Sequence, residues 1–292
     1  MRYIQEELVM KRMNKRLISN KLWKFIFIVA TSFALVSLGM LLYRILTQGL
    51  GFLDISFITN FASRIPENAG IKAALVGSLW LMSVVAPVSI ILGVSTALYL
   101  EEYAKQNKLN DFIRINISNL AGVPSIVFGL LGLTIFVRLF GFDKSILAAG
   151  LTMSLLILPV IIVAAQEAIR AVPNEQREAS YGMGATKWQT IVRVVLPAAI
   201  PGILTGSILA LSRAIGETAP LVVIGIPVIL QFLPTGYLDT FTALPMQIFD
   251  WAKRPQEAFQ HVASAGIIVL MVFLLTMNSI AIFIRNKFQK RY

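Results

Sequence analysis

Long apolar runs alternate with short polar stretches along the chain. A helix that spans a lipid bilayer needs about 20 mainly apolar residues, and six runs reach that length. They lie near residues 25–46, 73–99, 118–140, 145–166, 197–227 and 263–284. The pattern therefore predicts an all-α membrane protein with six transmembrane helices and with both termini on the same side of the membrane.

The composition points the same way. Of the 292 residues, 57% are hydrophobic and 14% are charged, and the mean hydropathy is +0.75. Soluble proteins are about 45–50% apolar and about 25% charged, so these values exclude a soluble enzyme, a disordered chain and a small secreted protein. The chain has no cysteine and one histidine, His261, which we expect at the membrane interface near a helix start rather than in a metal site.

The net charge of +11 is distributed along the chain as a topology signal. If the N-terminus is cytoplasmic, the cytoplasmic segments 1–24, 100–117, 167–196 and 285–292 hold 18 Lys and Arg, and the opposite side holds seven. The remaining one, Arg213, lies in the fifth run. Basic residues are enriched in cytoplasmic loops, so both termini are predicted to be cytoplasmic. Because the charge is divided among four membrane-bordering segments, we expect no nucleic-acid partner.

Prolines recur inside or beside the apolar runs. They are Pro87, Pro124, Pro159, Pro201 and Pro220. A proline interrupts helical hydrogen bonding, and the freed backbone groups are tolerated in a bilayer only where neighbouring protein or a water-filled cavity satisfies them. This pattern favours a transport pathway over a simple membrane anchor.

The loop between the fourth and fifth runs, residues 167–196, has strong helix punctuation. Pro173 marks a helix start, and Gly184 stands where a C-terminal glycine belongs. Thr186 and Gln189 fit a capping box that opens a second helix. The loop is therefore predicted to form a short helix, a tight turn and a second helix that enters the membrane. From periodicity alone, an ordinary surface helix is an equally good interpretation.

The residues of this loop carry a resemblance to a known family. The loop resembles the EAA motif of the membrane subunits of ATP-binding-cassette importers, in which it forms the coupling helix that docks on the ATPase. Ser180 replaces an Ala of the motif and Val194 replaces an Ile. The positions that the resemblance assigns to ATPase coupling are Glu178, Ala179, Ser180, Gly184, Leu196 and Pro197.

The sequence also indicates where the nucleotide is bound. No segment of the chain resembles the phosphate-binding loop G-x4-G-K-[ST]. ATP and Mg²⁺ are therefore expected on a partner ATPase, with no cofactor and no catalytic residue on this chain.

Two opposite charges, Arg213 and Glu217, lie four residues apart in the fifth run. A central arginine costs about 2.5–3.5 kcal/mol on membrane insertion, so such residues usually mark a pathway. Gly216 and Pro220 predict a helix break beside them, and Thr218 is expected to cap the half-helix that follows. An entering anion would meet the guanidinium and the free backbone N–H groups of that half-helix. The other interpretation is an ion pair that only holds helices or subunits together.

Four segments narrow the resemblance to phosphate-transport permease subunits of the PstA family. They are AGVPSIVFG from Ala121, SLLILPVII from Ser154, RAIGETAPL from Arg213 and QIFDWAKRPQEAF from Gln247. The resemblance implies a type I importer permease of MetI-like fold that moves inorganic phosphate. It also implies a heterodimer with a PstC-like permease, a PstB-like ATPase dimer and a PstS-like phosphate-binding protein.

The expected organisation follows from the runs and the resemblance. It consists of a cytoplasmic basic tail (1–24), a first transmembrane helix (25–46), an external loop (47–71), a type I permease domain (72–284) and a cytoplasmic tail (285–292). The first run is expected to be retained, because it is too long for a signal peptide and no A-x-A cleavage site follows it.

Several interpretations stay open at this point. The chain could serve another oxyanion such as molybdate, sulfate or phosphonate, or could be an anion transporter that needs no ATPase. A membrane-embedded enzyme is least favoured, because no nucleophile and base or metal cluster is evident. The aromatic segment 228–262 could be a dock for a binding protein or could fold against the bundle. Asn278 is expected to join helices.

Overall fold

The computed structural model describes residues 6–105 and 107–288. Helices make up most of this part of the chain. In chain order they are α1 (Glu6–Gly49), α2 (Ile55–Thr59), α3 (Lys72–Leu98), α4 (Lys108–Leu120), α5 (Ser125–Gly132), α6 (Ile146–Arg170), α7 (Asn174–Gly182), α8 (Lys187–Thr190), α9 (Leu196–Gly216), α10 (Ala219–Ile224), α11 (Leu244–Lys253) and α12 (Glu257–Phe288). Wider π turns extend α3 over Tyr99–Tyr103 and α5 over Leu133–Leu139, and Ile191–Val195 joins α8 to α9.

Five helical stretches among the described residues are long and apolar enough to cross a membrane. They contain α1, α3, α6, α8 with α9, and α12. A sixth span is obtained when α4 and α5 are counted together, although they are bent by 103° at the break between Leu120 and Ser125. The predicted all-α, six-span class is confirmed with this bent pair as one span.

Three spans are not straight helices confined to their apolar runs. Helix α1 already includes Glu6, the first described residue, and residues 6–24 contain no proline or glycine that would end a helix. The third span is bent between Leu120 and Ser125, because Pro124 disfavours helical backbone at the residue before it. The fifth run is interrupted after Gly216, in agreement with the predicted break.

Helix α6 lies at the centre of the bundle, between α3 and α9. Gly202 and Gly206 of α9 lie directly against Ala168 and Ala164 of α6, where a larger residue at either glycine would collide. Small residues four apart let two membrane helices approach closely. In contrast, α1 packs along α12, and the described residues leave most of its apolar surface uncovered.

The segment 228–262 folds against one end of the bundle. Phe241 and Trp251 are fully buried there. The carbonyls of Asp239 and Tyr237 accept hydrogen bonds of 3.1 and 2.9 Å from the first backbone N–H groups of α6, which have no partner within the helix. The prediction that this segment folds against the bundle is confirmed, and a dock for a binding protein stays a prediction.

Candidate functional site: the loop helix and the broken fifth span

The local sequence of the loop dictates its helix-turn-helix shape. Pro173 directly precedes α7, and Gly184 has a φ of +80°, which only glycine adopts without strain. Thr186 and Gln189 form the predicted capping box, with Thr186 Oγ1 accepting from Gln189 N at 3.3 Å and Gln189 Oε1 accepting from Thr186 N at 2.8 Å. The predicted shape of the loop is confirmed.

The second helix of the loop continues into the membrane. A π turn over Ile191–Val195 precedes Leu196, the first residue of α9, and Pro197 follows it. Proline lacks an N–H and its ring collides with the carbonyl four residues earlier, and a π turn is one way for a helix to absorb such a defect. Lys187–Gly216 is therefore one helical rod that links the loop to the broken span.

The two faces of α7 have different roles in the structure. Glu178 and Ala179 are exposed, whereas Ser180 is buried. The hydroxyl of Ser180 lies 2.9 Å from that of Thr190, which is also buried. The Ser180 departure from the family motif is thus matched by a polar partner in α8 that fixes the angle between the two helices.

Exposed apolar side chains surround the turn between α7 and α8. They were not among the residues predicted from the sequence to bind a partner. Met183 is 82% exposed and Trp188 is 62% exposed, and Tyr181 is exposed beside them. Large apolar side chains grouped at a surface are typical of protein interfaces. The sequence signal that could have identified them is their position next to Gly184, inside a polar loop.

The predicted ion pair of the fifth span is present at the end of α9. Arg213 Nε lies 3.3 Å from Glu217 Oε1, and the two side chains are 55% and 19% exposed. The helix ends at Gly216, and Glu217 has extended backbone angles. The structure thus places the two charges of the sequence prediction together at the predicted break.

The predicted cap after the break is wrong. The Thr218 side chain makes no capping hydrogen bond, and α10 spans only six residues with Pro220 in its first turn. The first N–H groups of a helix have no partner within it, and Pro220 removes one of those at the start of α10. The charged group able to bind an anion at this break is the Arg213 guanidinium.

The side of α9 that carries Arg213 is not covered by the described part of this chain. Thr205, Leu209, Arg213 and Gly216 form an exposed stripe along it. The adjacent side of α9 is held against α12, since Ser212 Oγ lies 2.6 Å from Asn278 Oδ1 of α12. The prediction that Asn278 joins helices is confirmed. An uncovered arginine within a span needs protein or water around it.

Comparison with known proteins agrees with this architecture. Residues 89–292 match the family described as binding-protein-dependent transport system inner membrane component. The methionine transporter MetNI in its inward-facing conformation superposes with a TM-score of 0.63 and 16% identity, over 75% of this chain and 96% of that chain. A bacterial alginate ABC transporter superposes with a TM-score of 0.57 and 16% identity over 96% of both chains. At this identity the structures establish the fold alone, and it is the predicted MetI-like permease fold.

The chain belongs to the family of membrane-embedded permease subunits of binding-protein-dependent transport systems. Among its relatives is the phosphate transport system permease protein PstA 1 of Mycobacterium tuberculosis, 35% identical over 93% of this chain and 90% of that protein. PstA of Haemophilus influenzae is 30% identical over 93% and 94%. The probable ABC transporter permease YqgI of Bacillus subtilis is 38% identical over 72% and 71%.

Proposed function

We propose that this chain is the PstA-type permease subunit of an ATP-driven importer of inorganic phosphate. The observation that carries the proposal is the uncovered Arg213 beside a helix break, in a chain whose relatives include phosphate permeases. A guanidinium forms short, charge-assisted hydrogen bonds with phosphate oxygens. Glu217 neutralises Arg213 when no anion is present, and an arriving phosphate displaces its carboxylate.

The exposed stripe of α9 faces a second permease subunit. Since Arg213 is 55% exposed in a span, another polar surface has to complete the pathway. We assign this role to a PstC-like subunit, so that phosphate passes between the two permeases. Gly216 and Pro220 supply the interrupted helix that lets this part of the wall change shape, and Thr218 lines the pathway at the same break.

The exposed surface of the loop binds the ATPase. Glu178, Ala179 and the apolar side chains of Met183 and Trp188 offer a charged and an apolar contact on one short helix-turn-helix. We assign them to a groove of a PstB-like ATPase dimer, which holds ATP and Mg²⁺. This chain then contributes the path and the coupling helix, and catalysis takes place on the partner.

We assign the loop end of the bundle to the cytoplasm, with both termini on that side. The distribution of lysine and arginine supports this orientation. The opposite end, where Trp251 is buried, then faces a PstS-like phosphate-binding protein. ATP binding closes the ATPase pair, α7 moves with it, and the Arg213 face opens towards the other side of the membrane.

Phosphate uptake into reconstituted vesicles tests this function. Vesicles hold this chain, its partner permease and the ATPase, with ATP and Mg²⁺ inside and the binding protein and radiolabelled phosphate outside. We expect uptake that requires the ATPase and persists with excess sulfate or molybdate. Uptake of another oxyanion instead of phosphate would overturn the substrate, and phosphate flux without the ATPase would overturn the importer.

A further inference from the structure

Two consecutive carboxylates, Glu101 and Glu102, lie at the end of α3 in the π turn Tyr99–Tyr103. Their side chains are only 10% and 8% exposed. A carboxylate is rarely buried unless a cation or several donors surround it. Glu101 has its partners on α4 and α6, and Glu102 has its partner on the loop helix α7.

Glu101 joins three spans to one another. Its Oε1 lies 2.7 Å from Arg114 Nη1 of α4, and its Oε2 lies 2.8 Å from Arg170 Nε at the end of α6. Gln166, one turn earlier in α6, donates to Glu101 Oε1 at 2.8 Å. A displacement of the α3 end at this residue is therefore passed to α4 and α6.

Glu102 joins α3 to the loop helix α7. Arg177 of α7 approaches Glu102 Oε1 with Nη2 at 3.1 Å and Nε at 3.3 Å. The same guanidinium donates to the carbonyls of Val172 and Ile169 at 2.6 and 2.9 Å. The Ile169 carbonyl lies in the last turn of α6 and the Val172 carbonyl lies just beyond it, where the helix dipole favours a cation.

A second contact connects the loop to the same turn of α3. The ammonium of Lys187, the first residue of α8, lies 5.1 Å from the centre of the Tyr103 ring, within the range of a cation–π interaction. Both helices of the loop therefore touch the turn that carries Glu101 and Glu102. In α7, Arg177 points into the protein while its neighbour Glu178 is exposed.

We propose that the Arg177–Glu102 ion pair transmits the movement of α7 to the membrane spans, and that Glu101 distributes it to α4 and α6. This inference rests on the proposed function, because it requires a partner that moves α7. Two charge-assisted hydrogen bonds to one carboxylate oxygen fix the direction of the guanidinium, so α7 and the end of α3 move as one body. Arg177 and Glu102 are positioning residues that touch neither phosphate nor ATP.

The substitution Glu102→Gln tests the transmission, since it removes the charge and keeps the shape. We expect the phosphate transported per ATP to fall about tenfold, as for an ordinary coupling free energy between two sites. ATP hydrolysis without the binding protein should stay near wild type. The matched control is Glu167→Gln, an exposed carboxylate that pairs with Arg170 on the same surface, and it should keep the wild-type ratio. An equal loss of ATP hydrolysis and uptake with Glu102→Gln would indicate a structural role and overturn the inference.

A cross-link provides an independent test, because the chain has no cysteine. Glu102→Cys combined with Arg177→Cys should uncouple transport while both thiols are free. A short bifunctional maleimide between them should restore most of the phosphate transported per ATP. If the cross-linked protein stays uncoupled although the vesicles retain ATP hydrolysis, a rigid connection between α7 and α3 is not what couples transport, and the inference is overturned.

The proposed function can fail separately from this inference. If the wild-type complex imports no phosphate, the substrate assignment is overturned. The stimulation of ATP hydrolysis by the binding protein can then still be measured in Glu102→Gln and compared with that in Glu167→Gln. Loss of that stimulation in Glu102→Gln alone supports the transmission, and equal stimulation in both variants overturns it.

Discussion

Both ends of the bundle have a buried apolar cluster, but only the end that carries Glu101 adds ion pairs of nearly buried carboxylates among the described residues. At the end that carries Trp251, buried apolar side chains from four parts of the chain pack together, among them Phe57, Ile71 and Phe259. At the end that carries Glu101, an apolar cluster that includes Ala97, Ile169 and Val195 is joined by buried ion pairs and hydrogen bonds between the spans and the loop. Apolar packing provides stability without direction. Buried ion pairs add little net stability but require a defined geometry.

The difference indicates that one end of the bundle stabilises the fold and that the other end connects the spans to the loop. The apolar end keeps α3, α11 and α12 in one arrangement, since close-packed interiors resist deformation. The ionic end connects the same spans to a loop that a partner moves. Substitutions at both ends should therefore change stability, and those at the second end should in addition change coupling.

The largest effect on stability is expected for Trp251→Ala. The ring is fully buried and packs 5.9 Å from that of Phe57. Removing it should lower the free energy of unfolding by about 3–5 kcal/mol, seen as a lower apparent melting temperature in detergent. Trp188→Ala is the control, because Trp188 is exposed, and its effect should stay within about 0.5 kcal/mol. Equal shifts for both variants would contradict the packed-end account.

A smaller effect is expected at the hinge of the loop. Ser180→Ala leaves the buried Thr190 hydroxyl without the partner at 2.9 Å, which should cost about 1–3 kcal/mol. The double variant Ser180→Ala with Thr190→Val removes both polar groups and should be closer to wild type than the single variant. A double-mutant cycle on the melting temperature measures this coupling, and additive losses would rule out the hydrogen bond as the link.

The smallest effect is a pH dependence at the apolar end. The pKa of Asp239 is lowered from its ordinary value of 3.8 by hydrogen bonds from the Thr235 backbone N–H, the Thr235 hydroxyl and the Gly236 N–H. A lowered folded-state pKa means that the carboxylate stabilises the turn above pH about 4, and that this contribution is lost as the pH falls through the folded value.

The comparison of wild type with Asp239→Asn measures this contribution. The melting temperature of the wild type should exceed that of the variant at neutral pH, and the difference should shrink as the pH is lowered towards about 3. A difference that does not change with pH would show that the carboxylate charge does not hold the turn.

Local signals in the sequence account for much of this structure. Apolar runs mark the spans, Gly184 with the capping box marks the loop, and Gly216 with Pro220 marks the break. These features depend on residues close together in the chain. The charge pair Arg213 and Glu217 was found for the same reason, because the two residues are one helical turn apart.

Other features depend on residues that are distant in sequence. Glu102 and Arg177 are 75 positions apart. For the segment that carries Glu101 and Glu102, the topology prediction used the basic residues and gave the two carboxylates no role. Pro124 marked a break in the third run, but the 103° angle depends on the packing of α4 and α5 against their neighbours. The side of α9 that stays uncovered likewise follows from tertiary packing.

The most direct test of the account is phosphate uptake by the variant Arg213→Gln in vesicles with both permeases, the ATPase and the binding protein. Arg138→Gln serves as control, since Arg138 is an exposed arginine at the end of another span. We predict that Arg213→Gln inserts and assembles normally but loses ATP-dependent uptake, while Arg138→Gln transports as the wild type does. Wild-type uptake by Arg213→Gln would contradict the assignment of Arg213 to the phosphate pathway.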